Sequence, residues 1–166
     1  MTNGTTANQT GQRAERVIAC MLHERGYSFE RQVYLGKSIY GHKLYCDFLV
    51  SNIPEFPNGL IIESKWQGSG GSADEKFPYL IENVRQVFPC PTVIVIAGGG
   101  HRPGAVTWLK AQVDGKKVVA ALNLEEFLCW MNKDLSDPAA VTLDDEVDQA
   151  QAALEMVGTF VPEEGV

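Results

Sequence analysis

The sequence predicts an α/β domain, a central mixed sheet with helices on both faces. Three observations point there. Apolar residues recur at helical spacing in an early segment, at alternating spacing in the segments after it, and as an unbroken run in "TVIVIA". Gly, Pro and Asn clusters separate these segments. The order that results is helix, three strands, helix, strand, helix, strand, helix, which is the order of a layered α/β fold.

In residues 11–25, Ala14, Val17, Ile18, Met21 and Leu22 share a helical face, and Gly26 ends the helix. "YSFERQVYL" alternates and reads as the first strand. Gly36 and Gly41 bracket a turn before "HKLYCDFLV", the second strand. "SNIPEFPNG" holds two prolines and an Asn-Gly pair, so it is a loop. "LIIESKWQ" is the third strand, and the Gly/Ser-rich "GSGGSADEK" leads from it. "DEKFPYLIENVRQVF" carries Leu80, Ile81, Val84 and Val87 on one side of a helix that Pro89 and Pro91 end. "TVIVIA" has the continuous apolar character of a strand buried on both faces. After the loop "GGGHRPG" come a helix in "AVTWLKAQV", a strand in "KKVVAAL" and a helix in "NLEEFLCWMN" with Asn123 as its cap.

The 166 residues suit one domain. Residues 1–10 are polar and read as a disordered tail, residues 11–137 as the domain, and residues 138–166 as an acidic tail or docked helix. The formal net charge is −7. Seven of the 21 acids lie beyond residue 137 with no Lys or Arg among them, so residues 1–137 balance 14 acids against 14 bases. A neutral body leaves room for a local basic surface. No apolar run reaches the roughly 18 residues of a membrane span. The polar N-terminus lacks the apolar centre of a signal peptide. Cys20, Cys46, Cys90 and Cys129 are scattered without a C-x-x-C pair, so no structural zinc is expected, and reduced thiols in the cytoplasm are. Cys46 reads as a small core filler.

The chemistry concentrates in the second and third strands. Period two puts Glu63, Lys65 and Gln67 on one side of "LIIESKWQ". "LYCDFLV" sets Asp47 inside an apolar run, where Asp is depleted. A buried carboxylate is costly unless it is paired or bound to a metal. Glu-x-Lys alone is a common surface pattern; Asp47 on the neighbouring strand makes it a candidate site. Two carboxylates brought together supply hard oxygen ligands of the kind Mg²⁺ takes.

This pattern resembles the PD-(D/E)XK nuclease superfamily, the restriction-endonuclease-like fold. Its core order of helix, three strands, helix, strand matches residues 11–96. Its motif reads here as Cys46-Asp47, with Cys in place of Pro, followed by Glu63-Ser64-Lys65. Glu15 matches an acid found in the first helix, and Gln67 a polar residue two beyond the motif Lys. The resemblance implies a Mg²⁺-dependent DNA endonuclease of restriction or defence type, with junction-resolving and repair nucleases as alternatives. It implies that Asp47, Glu63 and the Ser64 carbonyl hold Mg²⁺, with Mn²⁺ as a substitute. Lys65 would orient or deprotonate the attacking water, aided by a pKa that partial burial depresses. Glu15 would reach a second metal or hold a water, and Gln67 would either support the metal-binding residues from behind or contact a phosphate. Cutting both strands of a duplex implies a homodimer. Lys76, Arg85, His101 and Arg102 are the expected DNA contacts.

Two other readings exist. The loop with Gly98 and Gly100 is a possible nucleotide cradle, although it lacks the G-x-G-x-x-G spacing and the Lys of a P-loop. A silent family member acting as an interaction domain would use the acidic tail as its handle.

Overall fold

The computed structural model describes residues 3–132, and the acidic segment 138–166 lies outside them. The elements are α1 (Asn3–Glu24), β1 (Ser28–Lys37), β2 (Lys43–Ser51), β3 (Leu60–Trp66), a 3-10 turn (Asp74–Lys76), α2 (Phe77–Gln86), β4 (Thr92–Ala97), α3 (Pro103–Lys110), β5 (Val118–Asn123) and α4 (Leu124–Asn132). The chain divides into two units, residues 1–130 and 131–166, and the sheet lies in the first.

The five strands form one sheet in sequence order, β1-β2-β3-β4-β5. The β1–β2 and β2–β3 pairs are antiparallel, and the β3–β4 and β4–β5 pairs are parallel. The mixed α/β architecture is therefore as the patterning predicts. Every residue of β4 is buried, which explains why "TVIVIA" carries no polar alternation. Ile61, Ile94 and Ile96 share a core with Phe77, Leu80, Ile81 and Val84 of α2. Helix α1 packs against β3 and β1, and its Ala14, Ile18 and Leu22 are buried at four-residue intervals.

Two boundaries differ from the pattern. Helix α1 starts at Asn3, so the segment expected to be a disordered tail is helical backbone from that residue on. Apolar periodicity marks only the packed turns; adding turns to a formed helix needs one hydrogen bond per residue and no apolar stripe. The second helix begins as a 3-10 turn, and Pro78 lies in the first turn of α2, where its missing N–H costs nothing. At α4 the Asn123 side chain accepts the Glu126 N–H at 2.7 Å, while Glu126 accepts the Asn123 N–H at 2.8 Å, a reciprocal capping box.

The β2–β3 ladder is short. It runs from Val50↔Leu60 to Phe48↔Ile62 and stops. The next residues, Asp47 and Glu63, stand where the strands part. Beyond that fork, the end of β3 stays joined to β4 through Trp66↔Ala97.

The glycine-rich loop after β4 is packed against the segment after β3. The Gly100 N–H donates to the Gln67 carbonyl at 2.8 Å. A Cβ at Gly98 would lie 2.3 Å from the Gln67 carbonyl oxygen, at a φ of +88°. A Cβ at Gly100 would lie 2.7 Å from the Ser69 nitrogen, whereas one at Gly99 would meet nothing within 4 Å. These two glycines thus permit a close backbone approach. Gly98→Ala and Gly100→Ala are each expected to cost about 1–3 kcal/mol in chemical denaturation, and Gly99→Ala under about 0.5 kcal/mol.

Candidate active site

At the fork, side chains take over hydrogen bonds that the main chains no longer make to each other. The Ser64 N–H donates to Asp47 Oδ2 at 2.8 Å. The Asp47 N–H donates to Glu63 Oε1 at 3.3 Å. The two carboxylates therefore cross-link the parting strands while remaining adjacent to each other. Lys65 completes the cluster. Its Nζ lies 2.7 Å from Glu63 Oε2, 3.8 Å from Asp47 Oδ2 and 3.4 Å from the Ser64 carbonyl oxygen. One ammonium thus sits among the three oxygens that the sequence pattern nominates as ligands.

The electrostatics follow from burial. Glu63 is 4% exposed. Burial pushes its pKa above the ordinary carboxylate value, the Lys65 ammonium pulls it back, and Asp47 adds to the rise. For Lys65, burial acts downward, but the Glu63 and Asp47 carboxylates outweigh it and hold the pKa above the usual lysine value. The expectation of a depressed Lys65 pKa is therefore corrected: partial burial alone would lower it, and two neighbouring carboxylates reverse the sign. Cys46 is fully buried next to Asp47, and burial and the Glu63 carboxylate push its thiol up to about 12. It remains a thiol and a core filler.

Asp47 has a further partner that the sequence reading missed. On β1, Arg31 pairs with Phe48 and Val33 with Cys46, which leaves Gln32 across from Asp47. Gln32 adopts a left-handed φ of 52°, rare for a residue other than Gly or Asn. Its Nε2 donates to Asp47 Oδ1 at 3.2 Å. Such a conformation costs roughly 1–3 kcal/mol and is concentrated at functional sites. Nothing in the run "FERQVYL" distinguishes this Gln from an ordinary alternating strand residue. Beside it, Glu15 of α1 forms an ion pair with Arg31 at 2.9 Å. Glu15 is near enough to Lys65 to contribute to its raised pKa.

Other nominated residues lie elsewhere. Of the two expectations for Gln67, a phosphate contact and a support behind the metal-binding residues, its burial fits the second, since both ends of its amide are used. Nε2 donates to the Gly100 carbonyl at 2.7 Å, and Oε1 accepts the Ala73 N–H at 2.8 Å. Strand β3 ends at Trp66, and the next residue turns under the loops instead of continuing the polar row. His101 was expected on an exposed loop. Its side chain is 3% exposed, with Nδ1 2.7 Å from Asp74 Oδ1 and Nε2 3.3 Å from the Lys65 carbonyl. Its ring stacks on Phe77. Asp74 also accepts the Arg102 N–H at 2.9 Å. Burial acts to raise the Asp74 pKa, but the Arg102 N–H and His101 outweigh it and hold it below the ordinary value. The Arg102 guanidinium is exposed and 3.8 Å from Glu75, and Lys76 is exposed. Arg85 bonds to Gln112, close to Asp114, whose N–H bonds to Val118 at the start of β5. Lys65 pairs instead with Ile96, toward the far end of β4. The structure therefore brings together Asp47, Glu63, Ser64, Lys65 and Glu15, and it sets Arg85 apart from them.

The donor set suits a hard divalent ion. Among the described residues no group of three or more His, Cys, Asp or Glu side chains is placed to hold a metal ion. Two carboxylates beside a carbonyl oxygen are compatible with a hard ion that keeps several waters and draws further oxygens from substrate phosphate.

Lys65→Met leaves Glu63 and Asp47 facing each other without a cation. At pH 8 this is expected to destabilise the metal-free protein by about 2–4 kcal/mol, allowing for the partial exposure of Lys65. Because the Glu63 pKa in the folded state lies above its ordinary 4.5, protonation removes the unpaired charge as pH falls. The stability gap between wild type and variant therefore narrows on acidification toward that value, as read from urea unfolding at a series of pH values.

No curated protein and no solved structure matches the chain. A family model described as the PD-(D/E)XK nuclease superfamily domain matches residues 6–135, most of the chain. The matched span contains the helix, the parting strands and the Asp47, Glu63-Ser64-Lys65 constellation, and the chain belongs to the PD-(D/E)XK nuclease superfamily.

Proposed function

We propose that this protein is a Mg²⁺-dependent DNA endonuclease of the restriction or defence type, hydrolysing phosphodiester bonds in the cytoplasm. The observation that supports this reading best is the convergence of Asp47 Oδ2, Glu63 Oε2 and the Ser64 carbonyl on the Lys65 ammonium. Those three oxygens would hold the ion, and Mn²⁺ would substitute for it. When bound, the ion supplies positive charge at the phosphate and lowers the pKa of a coordinated water.

The chain's own groups have defined work. Ser64 N–H and Gln32 Nε2 hold the two oxygens of Asp47, which fixes the carboxylate in one orientation. Lys65 is held as an ammonium by Glu63 and Asp47 in the metal-free protein. It orients the attacking water and stabilises the charge that develops on the phosphate. His101 meets the Lys65 carbonyl and fixes the main chain behind the ammonium. Glu15 shapes the approach from α1. A homodimer would set two such sites against the two strands of a duplex. The DNA substrate and the restriction or defence role are proposals that follow the superfamily resemblance. The glycine loop gives no support to a nucleotide-binding reading, since Gly98 and Gly100 are filled from behind by Gln67.

The test is cleavage of supercoiled plasmid by wild type, Asp47→Ala and Lys65→Ala with Mg²⁺ or with EDTA. Wild type is expected to nick and linearise the plasmid only with metal, and each variant to lose about 100-fold or more in rate. Equal cleavage by all three proteins rejects the site, and cleavage in EDTA rejects the metal. Linear product formed without accumulation of nicked circles supports the dimer.

A further inference from the structure

We propose that the cleft between α1 and β1 seats a phosphate of the nucleic-acid backbone next to the one that is cut, with Arg16 and Arg31 as its cations. The inference rests on the nuclease reading and adds to it where the substrate is held. The cleft has a volume of about 410 Å³ and is lined by Gln12, Glu15, Arg16, Arg31 and Gln32. Two guanidinium groups and two amides against one carboxylate give it a net charge of about +1, beside a catalytic row whose side chains are mostly acidic. Guanidinium forks fit phosphate oxygens in pairs.

The geometry ties this cleft to the catalytic row. Gln32 forms part of its wall and at the same time bonds Asp47 Oδ1 at 3.2 Å. Its left-handed backbone, φ 52°, interrupts the β1 pairing at this point. Arg31 is held in place from two sides. Its guanidinium carbon lies 5.4 Å from the centre of the Phe48 ring, and one nitrogen is 2.9 Å from Glu15 Oε2. The bond to Glu15 uses one of five N–H donors, and the Arg31 side chain is still 43% exposed. Glu15 is thus the counter-ion of Arg31 in the free protein, and a phosphate competes with it for the same guanidinium. A strand whose scissile phosphate meets Asp47 and Glu63 passes this cleft with a neighbouring phosphate. None of the four DNA contacts expected from the sequence lies in it.

The experiment measures binding without cleavage. Fluorescence anisotropy in EDTA follows a labelled single-stranded oligonucleotide and, separately, its duplex, titrated with the full chain at several salt concentrations. Arg16→Gln/Arg31→Gln is expected to weaken binding about 10-fold or more and to make the salt dependence shallower by about one to two phosphate contacts. Arg85→Gln/Lys116→Gln removes the same charge near the start of β5 and is expected to change affinity by less than about 2-fold. Glu15→Gln, which frees Arg31, is expected to tighten binding. Equal losses in the two double variants overturn the proposal, as does wild-type affinity in Arg16→Gln/Arg31→Gln or no binding by wild type. If thermal melting shows that this double variant is unfolded, Glu15→Gln decides: tighter binding supports the cleft, and unchanged or weaker binding overturns it. Binding through the arginines by a protein that cleaves nothing upholds the cleft and removes the nuclease reading. Unchanged binding in the arginine variant of a protein that cleaves plasmid does the reverse.

Discussion

Everything at this site depends on one ammonium held among three oxygens. Glu63 is carried into the core by a strand that starts with Leu60, Ile61 and Ile62, all buried. An ionised carboxylate at that depth is tolerated only with a counter-charge. Lys65, two residues on, supplies it at 2.7 Å and also approaches Asp47 and the Ser64 carbonyl. Such a buried pair adds little net stability, since desolvation offsets most of the attraction, but losing either partner is expensive. Under the proposed function the arrangement is a cation site kept ready, rather than a stabilising device.

The fold supports that readiness from both sides. In front, the fork between β2 and β3 releases Asp47 and Glu63 from the ladder, and their carboxylates accept the main-chain N–H groups left over. Behind, a layer of buried polar contacts braces the end of β3. Gln67 ties it to the Gly100 and Ala73 backbone, and His101, held by Asp74, reaches the Lys65 carbonyl. Among the described residues no buried side-chain nitrogen or oxygen lacks a hydrogen-bond partner. A fully satisfied network of this kind holds its members in one geometry, which a catalytic constellation needs.

How much of this is legible in the sequence depends on the kind of signal. The order of helices and strands along the chain, the buried character of β4 and the Asn123 cap follow from local patterns, and the structure has them all. Asp47, Glu63 and Lys65 stand out because each violates the polarity of its own strand. Gln67 shares the spacing of that row, but period two holds only while the strand lasts, and β3 ends one residue earlier. His101 looks exposed because glycines surround it; its burial depends on Asp74 and Phe77, 27 and 24 residues away. Gln32 carries no local signal: its left-handed φ falls in a run that alternates like any strand, and its bond to Asp47 crosses to a strand fifteen residues on. Reasoning on one sequence finds residues that break a local rule and misses those placed by long-range contacts.

The most direct test of the central claim is the affinity for Mn²⁺ without nucleic acid, read from the electron paramagnetic resonance signal of the free ion. If Asp47, Glu63 and the Ser64 carbonyl form a cation site that the Lys65 ammonium fills in the metal-free protein, Glu63→Gln loses Mn²⁺ binding. Lys65→Met then binds the ion several-fold more tightly than wild type. Unchanged affinity in Glu63→Gln, or no gain in a folded Lys65→Met protein, would contradict the account.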